Sequence, residues 1–294
     1  MGCCVSKSGA DGQYAASNAS RREEAWRRTG VVGLRDAGLK EIPGVVFSDG
    51  ALRAVVKTLD ASNNRLSSLP ETVGALSNLR SLTLARNAIA RLPRSLASCA
   101  NLRTLVLDDN RLETLPADPA FFASLERLKT LSLKRNALVS LPDGIGLLKA
   151  LSSLDVSENA LTTLPSTIGQ CGALEHVDVS GNQDTSKSSA EGSFVFELPA
   201  ALGSCKNLAS LRCDGSRVSA VPSTILLGCD RLVTLSLHDC PIDFLKLEDT
   251  PGWANHAARI KGKHSKTVAG GAMLGARGLD DGVDRREKNI APHT

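Results

Sequence analysis

The chain opens with MGCCVSK, in which a glycine follows the methionine, two cysteines come next and a serine stands four residues after the glycine. Gly2 with Ser6 forms the acceptor pattern for N-myristoylation, and Cys3 and Cys4 are then placed for palmitoylation. One myristoyl chain gives only marginal membrane binding, with a partition constant of about 10⁴ M⁻¹, so a second acyl chain is needed for stable residence. The motif predicts a lipid-anchored peripheral protein on the cytosolic face of a membrane. The alternative is an unmodified segment with two unreacted thiols.

Catalytic and metal-binding patterns are missing from the sequence. No C-x-x-C pair, H-E-x-x-H, G-x-S-x-G or phosphate-binding loop occurs, and the five histidines are not spaced as metal ligands. We therefore expect no enzymatic activity, no catalytic residue, no cofactor and no metal site.

A repeat organises most of the chain. Around each repeat unit, apolar residues stand at positions 1, 4, 6, 11 and 14, asparagine at position 9 and proline at position 15, as in LRSLTLARNAIARLP. The asparagines, spaced by 23, 23, 26, 23 and 23 residues, are Asn64, Asn87, Asn110, Asn136, Asn159 and Asn182. Imperfect copies carry Ala37, Ser216 and Cys240 at position 9. About nine units then lie between residues 29 and 247.

This frame predicts a stacked architecture. A short segment with alternate residues buried is typical of a strand, and apolar spacing of three to four residues in the return segment is typical of a helical turn. One unit cannot bury its own leucines, so the units must stack as a solenoid. The asparagine side chains can satisfy backbone groups that stacking would leave unpaired. We expect an α/β solenoid shaped as a horseshoe, with a parallel sheet on the concave face and short helices or 3₁₀ turns on the convex face.

Six cysteines fall within this frame. Cys99, Cys171, Cys205 and Cys229 share one column with leucines of other units, Cys213 takes a strand-core position and Cys240 takes the asparagine position. We interpret all six as packing residues. Such cysteines indicate that the protein resides in a reducing compartment.

The concave face is the predicted binding surface, because it is broad, rigid and preformed. Its charges change sign from unit to unit, which suits partner orientation and association rate more than affinity. The candidate partner-binding residues are Arg86, Asp108, Asp109, Arg111, Lys134, Arg135, Asp155, Glu158, His176 and Asp178. We expect a protein partner there, and a monomeric chain.

The ends are expected to cover the solenoid. SRREEAWRRTG carries a capping box at Ser20 and Glu23 and a stop at Gly30, and this helix would lay Trp26 on the edge of the first unit. The predicted organisation is a lipidated flexible segment (1–19), a capping helix (20–30), the solenoid (31–247) with an insertion near 183–194, a C-terminal cap with a basic run (248–266) and a disordered tail (267–294).

Together, the opening MG, RRTGVVGLRDAGLKEIP, the repeats and HDCPIDFLKLEDTPGWANHAARIKGKHSK resemble a known group. They are similar to the small cytoplasmic leucine-rich-repeat proteins of the leucine-rich-repeat-containing protein fifty-seven type, within the Ras-group class of intracellular repeats. The repeat resemblance covers about three quarters of the chain, and it implies a lipid-anchored adaptor without enzymatic activity. The chain departs from this group in its longer N-terminal segment, its insertion and its long C-terminal tail.

Charge separates the remaining classes of function. Residues 1–30, 31–250 and 251–294 carry net charges of +2, −2 and +4. The sequence shows neither a basic stripe on the folded body nor aromatics to stack on bases, so we expect no nucleic-acid partner. The preferred function is a lipid-anchored signalling scaffold, and the alternative is a soluble regulatory subunit of a phosphatase or ubiquitin ligase.

Overall fold

The structure, a computed structural model, describes residues 10–182 and 195–269, with side chains for 20–182 and 195–261. Within these residues one sheet of parallel strands pairs in chain order. The strands are β1 (Val31–Gly33), β2 (Thr58–Asp60), β3 (Ser81–Thr83), β4 (Thr104–Val106), β5 (Thr130–Ser132), β6 (Ser153–Asp155), β7 (His176–Asp178), β8 (Ser210–Arg212) and β9 (Thr234–Ser236). Strands β1 and β9 are the two edges, so the sheet is open. The predicted solenoid with a parallel sheet is confirmed.

The strands form because each buries its middle residue between two neighbours that are half-exposed or exposed. Leu59, Leu82 and Leu105 stand opposite one another in register and are at most 2% exposed. Burying a leucine stabilises a fold by about 1.5–3 kcal/mol, and here each leucine gains that energy only from the neighbouring units. The apolar cluster is accordingly continuous from Trp26 to Trp253.

The return segments follow the repeat prolines. Five are 3₁₀ helices, at Glu71–Ala75, Arg94–Ser98, Asp143–Leu147, Ser166–Gln170 and Ala200–Ser204. A proline precedes each of them, because its fixed φ and missing N–H suit an extended residue at a helix start. After the eighth strand, Pro222 instead precedes an α-helical return, α5 (Ser223–Gly228).

The unit that is three residues longer makes an α-helical return. Its helix is α4 (Pro119–Ala123), and the carboxylate of Asp118 caps it by accepting the Ala120 N–H at 2.9 Å. Phe121 and Phe122, which pack edge to face at 5.1 Å, fill the added space.

Helices also lie at the two ends of the described chain. They are α1 (Ala10–Thr29), α2 (Val45–Ser48) and α3 (Gly50–Val55) before the second strand, and α5 (Ser223–Gly228), α6 (Phe244–Glu248) and α7 (Trp253–Ala269) around and after the ninth. In α1, Trp26 is buried against the first unit, and Arg27 donates to the carboxylate of Asp49 at the start of α3.

Gly30 ends α1 in a left-handed conformation with φ +69°. Its N–H donates to Trp26 O at 2.7 Å, and a Cβ at this position would lie 2.4 Å from Val55 O. Only glycine therefore fits where the helix turns into β1.

The predicted start of this helix is wrong. Ser20 lies inside α1 and is not its cap, because the helix begins at Ala10. Four alanines between residues 10 and 19, the best helix formers, extend the helix into a segment that its small polar residues suggested was flexible.

At the other end, α7 begins with Trp253, whose ring packs edge to face on Phe244 at 6.0 Å. Arg259 fixes this helix by donating to Leu232 O at 3.1 Å and to Leu226 O at 3.3 Å. Residues 267–269 are helical, so the predicted disordered tail does not begin at 267. Residues 270–294 and the insertion at 183–194 lie outside the described part of the chain.

Candidate binding face

The asparagine side chains join successive units through hydrogen bonds to their backbone groups. In Asn159, which is 4% exposed, Nδ2 donates to Leu133 O of the preceding unit at 3.0 Å and to Val156 O of its own unit at 3.0 Å. Its Oδ1 accepts the Leu138 N–H at 3.1 Å. The same pattern repeats at Asn87, and it makes the frame behind the concave face rigid.

Two of the three units without the asparagine keep part of this bonding. Ser216 Oγ donates to Val179 O, and Cys240 Sγ donates to Cys213 O at 3.1 Å, so each still reaches the preceding unit.

Position 8, directly before the asparagine, has a left-handed backbone in every unit. The φ angles of this column lie between 52° and 67° at Asp36, Asn63, Arg86, Asp109, Arg135, Glu158, Gly181, Gly215 and Asp239. Sequence reasoning missed this conformation, although glycine, aspartate and asparagine in one column are its usual signal.

The column cysteines are buried as expected. The Sγ of Cys99 and that of Cys171 each donate to a carbonyl of the preceding unit at 3.4 Å. Burial raises the pKa of Cys99 and Cys171 to about 11 and that of Cys205 to about 12. Such thiols stay protonated at neutral pH, which makes them packing groups and poor nucleophiles.

Half of the predicted partner-binding residues pair with one another. Along position 8, Arg86 lies 3.9 Å from Asp109, Arg135 lies 3.6 Å from Asp109, and Arg135 Nε donates to Glu158 at 2.6 Å. Lys134 adds a contact to Glu158 at 3.0 Å. The hydrogen bond from Arg135 is the main reason that the pKa of Glu158 is lowered. These five residues form an ion-paired ladder across four units.

Three carboxylates of the set accept hydrogen bonds, Asp108 from the next unit and Asp155 and Asp178 from their own units. Asp108 accepts from Ser132 Oγ and from the Lys134 N–H, and burial raises the pKa of Asp108. Asp155 accepts from both the N–H and the hydroxyl of Ser157.

Asp178 accepts the Ser180 N–H at 2.9 Å and lies 3.7 Å from Arg212. Arg111 and His176 differ from the rest of the set, because both are exposed and neither has a side-chain partner among the described residues.

The concave rim carries a feature that contradicts the sequence expectation of no basic stripe. Four cations occupy position 2 of four consecutive units, each directly before its strand, and all four are exposed. This basic row consists of Lys57, Arg80, Arg103 and Lys129. Net charges summed over long segments hid it, whereas comparing position 2 across the units would have found it. No aromatic residue occupies position 3 beside these cations in the described chain.

The predicted acylation residues Gly2, Cys3, Cys4 and Ser6 lie outside the described residues. No helix in the described part of the chain combines the length and the apolar character that crossing a bilayer requires. Within the same residues, no group of three or more His, Cys, Asp and Glu side chains could hold a metal ion.

Comparison with known proteins agrees with this architecture. Residues 78–190 match the family model described as "Leucine-rich repeat region". Two curated relatives from Oryza sativa subsp. japonica are similar over shorter stretches. Plant intracellular Ras-group-related LRR protein 7 is 39% identical over 84 residues, which is 29% of this chain and 28% of the relative. Protein 8 of the same name is 36% identical over 73 residues, 24% of this chain and 18% of the relative. Less than a third of either relative is therefore matched.

Solved structures show the fold. A leucine-rich-repeat protein of Leptospira interrogans superposes with a TM-score of 0.52 at 25% identity, over 73% of this chain and 56% of its own. The leucine-rich repeat domain of the type III effector XopL superposes with a TM-score of 0.62 at 24% identity, over 79% and 78%. The narrower resemblance to the fifty-seven type stays a prediction. The chain is a leucine-rich-repeat solenoid, part of which is similar in sequence to the plant intracellular Ras-group-related leucine-rich-repeat proteins.

Proposed function

We propose that this protein is a lipid-anchored scaffold on the cytosolic face of a membrane, where its concave face holds a protein partner in signalling. The observation that carries the scaffold role is the rigid nine-stranded sheet, whose open face presents charged side chains on a frame fixed by the asparagine column. Leucine-rich-repeat proteins typically act through binding, and the rice relatives bear the word intracellular in their names. We propose no catalytic role.

The anchoring part of the proposal is supported by MGCCVSK at the start of the sequence. Myristate on Gly2 alone would leave the protein in exchange with the cytosol, and palmitate on Cys3 or Cys4 would retain it at the membrane. Confining the scaffold to a surface raises the effective concentration of the partner that it holds.

Fractionation of the full chain expressed in a eukaryotic cell tests the anchor. We expect the wild-type chain in the membrane fraction, Gly2→Ala in the soluble fraction, and Cys3→Ser/Cys4→Ser mostly soluble with a weakly bound remainder. A Gly9→Ala variant is the matched control, because the acceptor pattern does not use Gly9, and it should fractionate as wild type.

If both acylation variants stay on membranes as wild type does, the anchor is refuted. The intact mass of the wild-type chain supplies a second readout. A mass without myristate would instead favour the alternative, a soluble regulatory subunit of a signalling enzyme.

A further inference from the structure

The basic row is a continuous structural feature. The N–H of Arg80 donates to Lys57 O at 2.7 Å, that of Arg103 to Arg80 O at 2.7 Å, and that of Lys129 to Arg103 O at 2.8 Å. The four residues are therefore direct neighbours, each just before one of four adjacent parallel strands. With about 4.8 Å between strands, the row extends over about 14 Å.

The row has no compensating charge in the described chain. None of its four side chains makes a hydrogen bond or an ion pair there. Like charges directly opposite each other on neighbouring strands destabilise a sheet. Beyond the other end of strands β3 to β6, the ion-paired ladder avoids this cost by alternating signs, as between Arg86 and Asp109. The row therefore keeps a repulsion that a bound anion would remove.

Hydroxyl groups accompany the cations on the concave side. Position 3 of the same units carries a row of half-exposed hydroxyls, paired in register across β2 to β5: Thr58, Ser81, Thr104 and Thr130. Hydroxyls and cations together donate to carboxylates. The row of cations and the row of hydroxyls form a strip that is two residues wide. Its length equals that of about four extended residues at 3.3 Å each, so an extended segment of another chain fits along it.

The strip distinguishes between possible anions. In the four units of the strip, position 3 carries no aromatic ring on which the bases of a single-stranded nucleic acid could stack. The hydroxyls belong to the concave floor, which a strand of another chain reaches more readily than a flat membrane surface does.

We propose that the basic row and its hydroxyls bind an acidic, extended segment of the partner protein. This inference rests on the proposed role of the concave face, and it adds the chemistry of the partner. Arg80 and Arg103, at the centre of the row, make the main contacts with Glu or Asp carboxylates.

The test uses the full chain produced without acylation in bacteria, and two labelled peptides of about ten residues, which span the row. One alternates Glu with Ser, and the other alternates Gln with Ser. Fluorescence anisotropy should show binding of the Glu peptide only, and that binding should weaken strongly between about 50 and 300 mM salt. Arg80→Gln/Arg103→Gln should lower the affinity about ten-fold, which is about 1.4 kcal/mol for the two groups together.

Arg65→Gln/Arg91→Gln is the matched control, because it removes the same charge from two exposed arginines outside the row. It should change the affinity by less than about two-fold. Equal effects of both double variants, or equal binding of both peptides, would overturn the proposal. So would row-dependent pelleting of the unacylated chain with phosphatidylserine vesicles when the Glu peptide does not bind. These outcomes leave the anchor untouched, since that depends on Gly2 variants.

Discussion

Each asparagine of the column joins two successive units through one short side chain. Asn159 pairs a carbonyl of the preceding unit, a carbonyl of its own unit and the N–H of Leu138. Its removal therefore leaves buried backbone groups without partners on both sides of one unit boundary.

We expect Asn159→Ala to destabilise the fold by about 3 kcal/mol, because a buried group left unpaired costs about 1–3 kcal/mol. Urea unfolding followed by circular dichroism measures the change. The control is Asn78→Ala, where an exposed side chain makes a single bond to Ala54 O, and the expected loss is about 1 kcal/mol or less. Equal losses at the two positions would show that the buried column is not what fixes the units.

At this scale the sequence predicted bonding roles well but conformations poorly. The asparagine period reveals that a polar side chain serves the backbone in the six units that carry it. The left-handed residue before it is invisible at Arg86, Arg135 and Glu158, because these residue types rarely adopt a positive φ. Stacking of neighbouring units overrides that preference.

The same applies to the binding residues. The repeat period was enough to assign these residues to the concave face. Which of them pair with one another depends on how far their side chains reach between units. The sequence therefore could not separate the paired Arg135 from the unpaired Arg111.

Among the elements, α7 contains a buried histidine that carries a consequence for pH. His256 is fully buried, its Nδ1 lies 3.2 Å from Leu232 O, and its Nε2 has no hydrogen-bond partner among the residues that the structure describes. A carbonyl only accepts, so Nδ1 carries the proton and Nε2 is bare. Burial, and then the nearby Arg259, lower the pKa of His256.

We expect the free energy of unfolding to fall as the pH drops below about 6.5, the ordinary pKa of histidine. The unfolded chain takes up a proton there that the folded chain resists, so stability is present above this pH and is lost below it. Chemical unfolding of the wild type and of His256→Leu between pH 7.5 and 5 measures how much unfolding free energy is lost over this range through the titration of one group. The variant should show a flatter profile.

His176→Gln is the control, because His176 is exposed on the concave face. Its profile should follow the wild type. A wild-type slope that survives in His256→Leu would assign the pH dependence to other groups.

Element boundaries were the least predictable part of the chain. Gly30 fixed the end of α1 because its backbone conformation leaves no choice of residue. The beginning of α1 had no comparable marker, and the alanines upstream extend it to Ala10.

Across the whole molecule, the two charged columns should respond to salt in opposite directions. The basic row repels itself, whereas the ion-paired ladder attracts, and both are exposed enough for salt to screen them. At low ionic strength we expect Arg103→Gln to raise the unfolding midpoint and Arg135→Gln to lower it.

Thermal unfolding of the two variants and the wild type at low and high salt checks this prediction. All three midpoints should converge as salt increases. Shifts of the same sign would mean that packing of the side-chain stems outweighs the charges.

The overall architecture could be predicted because it depends on a period repeated nine times, so errors such as Ala37 in one unit did not obscure it. The basic row could not be recognised from total charge, because the acidic carboxylates of other columns cancel it in every sum. Comparing position 2 across the aligned units reveals the four cations, and the pairing of units in the structure makes them direct neighbours.

The basic row also gives the solenoid a way to vary. Each of four consecutive units contributes one cation to the row, and the strands stack in simple chain order. Duplication or deletion of one such unit would lengthen or shorten the row by one strand spacing, about 4.8 Å, without redesigning any contact within a unit. The length of segment that this rim can grip is therefore set by a count of repeats, and evolution can change it in whole steps.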